Sequence, residues 1–186
     1  MRLLDTYNVA TDGACRRNPG PTGWAWVGED GQWAAGSVLE GTNNVGELLA
    51  VLHAIADNQD VTRLTVVADS TYAIDMYTRW MDAHSRRGWT TAAGEPTKNV
   101  DILRALMNVR QARRAADLED VTFVHVRGHR GHRLNGWADE RAGRASHHAA
   151  DGRELIWSSR QGRPILDVSE DAPRMAQEKA RTSRPR

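Results

Sequence analysis

The first forty residues alternate between apolar and polar side chains with a period of two, the spacing typical of β-strands. Leu3, Tyr7 and Val9 share one face of the first predicted strand. Turn-forming residues interrupt the alternation at Asn18-Pro19-Gly20-Pro21 and at Glu29-Asp30-Gly31. The pattern therefore predicts an antiparallel meander of three strands, Leu3–Asp12, Trp24–Val27 and Gln32–Leu39.

From Asn44 onward apolar residues recur at helical spacing, and two strand patterns interrupt it, the apolar, β-branched run Leu64–Ala68 and the alternating segment Val121–Val126. A meander followed by parallel strands with crossover helices predicts an α/β fold. Its mixed five-stranded sheet would hold three antiparallel strands and then two parallel ones, with helices on both faces. The predicted helices begin at Asn44, after Ser70, at about Val100 and at Asn135.

The helical pattern fades after Gly152, and this divides the 186 residues into two parts. Residues 1–149 are predicted to form one domain, and residues 150–186 a C-terminal extension that we expect to be largely flexible. Leu155–Trp157 and Pro164–Val168 are the segments of this extension that could pack as short edge elements. The basic residues after Pro173 could add affinity for an acidic partner.

Composition narrows the class of protein. No apolar run approaches the ~18 residues of a membrane-spanning helix, and the N-terminus lacks the apolar region of a signal peptide. Cys15 is the only cysteine, which fits a reducing compartment. We therefore predict a cytoplasmic protein with no membrane contact. A monomer is the default expectation, and no obligate protein partner is inferred.

Charge alone does not indicate a nucleic-acid partner, because the formal net charge is only +1. Basic residues are nevertheless clustered. One cluster lies on the predicted third helix, which begins at about Val100, where either a solvated surface or a nucleic-acid contact would explain it. This helix cluster consists of Arg110, Arg113 and Arg114.

Four carboxylates are distinguished by their positions. Asp12 and Asp69 end neighbouring strands, so the fold would place them side by side where such sheets bind ligands. Glu47 lies in the first turn of a helix that starts beside that point, and Asp139 in the first half of the last helix. Crowded carboxylates repel one another and need cations. Hard oxygen ligands with room for water favour Mg²⁺ or Mn²⁺ over zinc.

Each of these carboxylates also has a purely structural interpretation. Glu47 could complete a capping box with Asn44, and Asp12 before Gly13 could form a turn. Asp69 could cap the following helix, and Asp139 could be an ordinary solvated acid. Their order along the predicted pattern of strands and helices makes the group more specific than any member.

The same positions lie in motifs that resemble the type 1 ribonuclease H family. The resemblance covers about residues 5–147 with consistent spacing. The matching segments are Thr11-Asp12-Gly13-Ala14-Cys15 with Asn18-Pro19-Gly20-Pro21, Thr42-Asn43-Asn44 with Glu47-Leu48, Ala68-Asp69-Ser70, and Val126-Arg127-Gly128-His129 with Asn135, Ala138 and Asp139.

The resemblance implies an endonuclease that hydrolyses the RNA strand of RNA–DNA hybrids. By similarity, Asp12, Glu47, Asp69 and Asp139 would hold two Mg²⁺ ions, with Mn²⁺ as an alternative, and Asp12 would bridge them. One ion would activate water and the other would stabilise the departing 3′ oxygen, leaving 5′-phosphate and 3′-hydroxyl ends. His129 would assist proton transfer or product release.

The resemblance also implies three kinds of substrate contact. Amide side chains would read the 2′-hydroxyl through the minor groove, two residues would grip a DNA phosphate, and an indole would pack on deoxyriboses. For the indole, helix packing is the alternative. The residues are Asn18, Asn43 and Asn44 for the hydroxyl, Thr42 and Asn99 for the phosphate, and Trp80, flanked by Tyr72, for the deoxyriboses.

The sequence departs from the family between Trp80 and Pro96. Bacterial members often carry a lysine-rich protrusion there, whereas Thr90–Pro96 of this chain contains no lysine. Electrostatic affinity through this region should therefore be weaker.

Other function classes remain as alternatives. One is a different nuclease of the same fold, such as a resolvase or an exonuclease, which would have no 2′-hydroxyl to read. The others are a hybrid-binding module without catalysis, which would be expected to lose carboxylates, and a scaffold that uses the extension.

Overall fold

The computed structural model describes residues 4–128 and 131–160. No helix in these ranges is long and apolar enough to cross a membrane. The strands are β1 Leu4–Cys15, β2 Gly20–Gly28, β3 Trp33–Gly41, β4 Val61–Ala68, β5 Thr122–His125 and β6 Ile156–Ser158. The α-helices are α1 Asn43–Ala56, α2 Thr71–Asp75, α3 Met81–Arg86, α4 Val100–Ala115 and α5 Arg133–Ala150, with a π-helical turn Met76–Trp80 between α2 and α3.

The strands form one mixed sheet in the order β5-β4-β1-β2-β3-β6. β1 pairs antiparallel with β2, as β2 does with β3, whereas β4 pairs parallel with both β1 and β5. The predicted α/β architecture is therefore confirmed. The predicted number of five strands is corrected to six in the described ranges, because β6 adds an antiparallel strand next to β3.

The sheet has a core on each face because successive strand residues point to opposite sides. Large side chains, including Trp24, Trp26 and Val66, pack towards α1 and α4 on one face. The other face carries small residues such as Ala10 and Ala25, against which α5 packs its alanines. This packing is close: a Cβ at position 23 would lie 2.1 Å from the carbonyl oxygen of Ala142, so glycine is required.

The arginine cluster of α4 is largely structural, which corrects both interpretations considered for it. The Arg113 side chain is fully buried and donates to backbone carbonyls, among them those of Asn58 and Val61. Arg110 is also buried and pairs with Asp82. Of the three, only Arg114 is exposed, and it donates to the Asp120 carboxylate. Neither the solvated surface nor a nucleic-acid contact describes Arg110 and Arg113.

The C-terminal extension begins as an ordered part of the sheet. Trp157 lies opposite Ala35 and is only 2% exposed. Ser37 Oγ donates to the carbonyl of Arg153, and the guanidinium of Arg160 reaches Asn58 Oδ1 at 2.8 Å. The edge element predicted at Leu155–Trp157 is therefore confirmed, whereas Pro164–Val168 and the basic end lie outside the described residues.

Candidate active site

Three of the four predicted carboxylates meet at one end of the sheet. Asp12 lies in β1, and Asp69 follows β4, which runs parallel beside β1. Glu47, the fifth residue of α1, reaches the same point just after the first turn in which the sequence predicted it. One ligand oxygen from each residue lies within 4.8 Å of the other two. We call this the carboxylate end of the sheet.

Two glycines allow Glu47 to reach this cluster. A Cβ at Gly13 would lie 2.4 Å from the backbone nitrogen of Glu47, and a Cβ at Gly46 would lie 2.9 Å from the Gly23 carbonyl oxygen. Glycine costs a helix about 1 kcal/mol relative to alanine, so Gly46 in α1 needs a structural reason. The close crossing of α1 over the sheet explains it, and the Gly13 N–H donates to the Glu47 carboxylate.

The capping roles that could have explained two of the carboxylates belong to other residues. Thr42 Oγ1 accepts from the Val45 N–H at 3.1 Å, so α1 is capped by Thr42 and not by the predicted Asn44–Glu47 box. Ser70 Oγ accepts from the Ala73 N–H at 3.1 Å and caps α2. Glu47 and Asp69 are therefore not needed as caps.

The cluster is strained electrostatically. Asp12 is 2% exposed, and burial, followed by the charges of Glu47, Asp69 and Asp139, raises its pKa to about 10. Burial and the charge of Asp69 raise the pKa of Glu47 to about 8, although the Gly13 N–H opposes this. Asp139 is not in the three-residue group but contributes a hydrogen bond with Asp12 that raises the Asp12 pKa further.

The donor set fits a hard divalent cation. Oδ2 of Asp12 and Oε2 of Glu47 are buried and have no hydrogen-bond partner among the described residues. An acceptor without a partner is costly to bury, and a bound cation would remove that cost. Carboxylate oxygens are the ligands that Mg²⁺ and Mn²⁺ favour. Asp12, Glu47 and Asp69, with Asp139 beside them, are the residues that could hold such ions.

The predicted hydroxyl-reading amides lie next to one another. Asn18, in the loop after β1, accepts through Oδ1 from the backbone N–H of Asn43 at 3.2 Å. Asn43 and Asn44 form the exposed start of α1. The structure thus brings Asn18 to the start of the helix that carries Glu47.

The two predicted phosphate-gripping residues already have partners. Thr42 uses its hydroxyl as the cap of α1, and Asn99 Nδ2 donates to the Tyr72 hydroxyl at 3.1 Å. Asn99 occupies the predicted position before α4 but makes no side-chain capping bond. Trp80 is 43% exposed, so helix packing leaves much of its indole uncovered.

Other polar residues of this region were not predicted as site residues. His125 Nε2 lies 3.2 Å from the Asp69 carbonyl oxygen, and its position at the end of β5 beside β4 is the signal that could have identified it. Asn135 is fully buried with both amide atoms lacking partners among the described residues, four residues before Asp139 on α5. His129 lies outside the described residues, so its role stays a prediction.

Comparison with known proteins agrees with this geometry. The family model for RNase H matches residues 5–147. Ribonuclease H of Hahella chejuensis is 37% identical over 142 residues, which cover 75% of this chain and 92% of that protein. Ribonuclease H of Novosphingobium aromaticivorans is 38% identical over 141 residues, which cover 74% and 94%.

Solved structures show the same fold at lower identity. The N-terminal RNase H domain of a Mycobacterium tuberculosis protein, fused to maltose-binding protein, has a TM-score of 0.58 at 22% identity over 80% of this chain and 98% of that one. Foamy viral protease-reverse transcriptase in complex with an RNA/DNA hybrid has a TM-score of 0.62 at 18% identity, over 79% and 21%.

Proposed function

The chain belongs to the ribonuclease H family of endonucleases, and from that premise we propose that it hydrolyses the RNA strand of RNA–DNA hybrids with two divalent cations. The products would carry 5′-phosphate and 3′-hydroxyl ends. Mg²⁺ is the proposed cofactor, with Mn²⁺ as an alternative.

The observation that carries this proposal is that Asp12 and Glu47 each bury a carboxylate oxygen that has no hydrogen-bond partner in the part of the chain that the structure describes. Burial and, after it, the charges of neighbouring carboxylates raise the pKa values of Asp12 and Glu47, and a bound cation would favour the ionised forms. Two bound divalent ions supply a Lewis acid for each side of the phosphodiester, the attacking and the departing oxygen. The residues of the chain hold these ions and fix where the scissile phosphate can lie.

Selectivity for a hybrid is proposed from the amides beside the carboxylate end. Asn18 and Asn43 are tied to each other by a hydrogen bond through the Asn43 backbone, so their side chains start from a fixed position. An amide can both donate to and accept from a 2′-hydroxyl, which DNA lacks. The foamy viral protein, which shares the fold, forms a complex with an RNA/DNA hybrid, and this is consistent with the proposed substrate class.

The test is incubation of the chain and Mg²⁺ with three end-labelled duplexes of one sequence: hybrid, double-stranded RNA and double-stranded DNA. We expect cleavage of the RNA strand of the hybrid alone, and phosphatase sensitivity of the new 5′ ends. Equal cleavage of double-stranded DNA would contradict the proposal. For a variant that removes the Asp12 carboxylate, Asp120→Asn is the matched control, because Asp120 is exposed and pairs with Arg114.

A further inference from the structure

The loop between β1 and β2 carries two adjacent arginines, Arg16 and Arg17, immediately before Asn18. Both are exposed, and Arg17 has a φ of 63°. This left-handed conformation favours glycine, because a Cβ is strained there. Within residues 4–128 and 131–160, no hydrogen bond or ion pair of the Arg17 side chain compensates for that strain. A strained residue without an internal partner suggests a ligand outside the protein.

The backbone of this loop is held in place. The Arg16 N–H donates to the Pro21 carbonyl at 2.8 Å, and Cys15 lies opposite Thr22 in the sheet. The Asn18 side chain accepts from the start of α1. Arg17 therefore projects from a fixed point between two anchors, so little backbone order would be lost when it binds.

A cavity of about 460 Å³ lies beside the two arginines, and Pro21 and Ala150 complete its lining. Nη1 of Arg16 lies 2.9 Å from Nδ1 and 2.8 Å from Nε2 of His147. Arg16 thus lies near the C-terminal end of α5, where the helix dipole favours a cation. The dipole accounts for Arg16 but gives no partner to Arg17.

The strand that leads into this loop sets a scale for the separation of the loop from the carboxylates. Asp12 and Cys15 are three strand residues apart, which is about 10 Å at ~3.3 Å per residue. Phosphates of one strand advance ~3.4 Å along a duplex axis per nucleotide. We infer that Arg17, assisted by Arg16, binds an RNA-strand phosphate roughly three nucleotides from the bond that is cut. This inference rests on the proposed function.

Salt dependence tests the inference, because each phosphate contact contributes about 0.9 to the slope of log affinity against log salt. Arg17→Asn removes the charge and keeps a residue that tolerates the left-handed conformation. In Arg17→Asn we expect the slope of log kcat/KM for the hybrid against log salt to be smaller by about one unit. Between 50 and 200 mM salt, the fall in kcat/KM should then be roughly 3.5-fold smaller than in the wild type. Arg17→Lys should retain the slope, and kcat at saturating substrate should stay unchanged in both variants.

Arg63→Ala is the matched control, since Arg63 is an exposed arginine near the opposite end of the sheet. A wild-type chain that leaves the hybrid intact would contradict the proposed function itself. If the wild type cuts the hybrid but its log kcat/KM has the same salt slope as that of Arg17→Asn, only the assignment of Arg17 is overturned.

An uncharged methylphosphonate in place of one RNA phosphate can locate the phosphate that Arg17 contacts. One methylphosphonate is moved along the RNA strand, one nucleotide at a time, on either side of a fixed cleavage position. At one position about three nucleotides away, the substitution should raise KM for the wild type and for Arg17→Lys but not for Arg17→Asn. The inference is wrong if every position affects the wild type and Arg17→Asn alike.

Discussion

At the carboxylate end of the sheet, Asp12 and Glu47 each bury an oxygen that has no hydrogen-bond partner in the described ranges. The opposite end, where β1 and β4 begin and α1 ends, also buries polar groups, but there they are paired. Trp26 Nε1 donates to Asp57 Oδ2 at 2.8 Å, and the Tyr7 hydroxyl donates to Asp30 Oδ1 at 2.5 Å. We call this second region the basal end.

The difference separates function from stability. A buried acceptor without a partner costs roughly 1–3 kcal/mol, whereas a paired one makes a modest net gain. Under the proposed function a bound cation would remove the cost at the carboxylate end, whereas the pairs at the basal end stabilise the fold. Substitutions at the carboxylate end should therefore reduce activity without lowering the free energy of unfolding. Substitutions at the basal end should lower the free energy of unfolding without reducing activity.

Asp12→Asn should have the largest effect on activity. The change removes a charge from the crowded cluster, and the loss of several kcal/mol of metal-dependent stabilisation corresponds to more than about 10³-fold in kcat for the hybrid. The free energy of unfolding without metal should stay the same or rise, because asparagine removes the cost of burying a carboxyl whose pKa is raised in the folded chain. Single-turnover cleavage and urea denaturation measure the two quantities.

The Asp120→Asn control should retain both activity and stability within about 1 kcal/mol, as expected for an exposed ion pair. Retained cleavage in Asp12→Asn would remove the basis for assigning the carboxylate end to metal binding. A large loss of stability in that variant would show that the cluster supports the fold.

Trp157→Ala should have the largest effect on stability. The indole is 2% exposed and packs beside His148, so its removal should cost about 3–5 kcal/mol in the free energy of unfolding. Cleavage per folded molecule should not change, because β6 lies across β3 from the strands that carry the carboxylates. Ile156→Ala on the same strand is the control, since Ile156 is 61% exposed and should change stability by less than about 0.5 kcal/mol.

The sequence predicted the carboxylate end better than the ordered start of the extension, for a physical reason. Asp12 and Asp69 end strands whose apolar pattern is strong, so their proximity follows from parallel pairing alone. The ordered start of the extension depends on tertiary contacts of Trp157 and Arg160 with residues over a hundred positions away. Local composition could suggest that edge element but could not fix its pairing.

Side-chain roles were harder to predict than positions. Thr42 and Asn44 are both plausible caps by residue type, and only the backbone angles of the helix start decide for Thr42. Arg113 looked like a surface cation because sequence reveals its charge but not the carbonyls that converge on it. Pairing of this kind depends on where helix ends and strand starts meet in space.

Removal of metal should lower stability in a pH-dependent way. In the metal-free chain the pKa values of Asp12, about 10, and of Glu47, about 8, lie above their ordinary values of 3.8 and 4.5. A carboxyl with a raised folded pKa contributes stability below its unfolded pKa and loses it as pH rises. The metal-free chain should therefore lose stability as pH rises from about 4, with the contribution of Glu47 lost by about pH 8 and that of Asp12 by about pH 10.

The proposed Mg²⁺ would bind the ionised carboxylates, so its stabilising effect should grow over the same pH range. At a concentration 100 times its Kd, one ion would add about 2.7 kcal/mol. Thermal unfolding in EDTA and in Mg²⁺, at pH 6 and pH 8 and at constant ionic strength, measures the difference. An equal shift in Asp12→Asn and the wild type would mean that the ion binds elsewhere.

Asp57→Ala should produce the smallest of these effects and test the basal end directly. It leaves the indole N–H of the fully buried Trp26 without its acceptor, at a cost of about 1–2 kcal/mol in the free energy of unfolding. Asp57→Asn keeps an acceptor oxygen at the same position and should cost less than half as much. Because Asp57 lies at the far end of α1 from Glu47, kcat should be unchanged in both variants. If Asp57→Ala instead reduced kcat while stability held, the two ends of the sheet would be coupled, and the division between a functional and a stabilising end would fail.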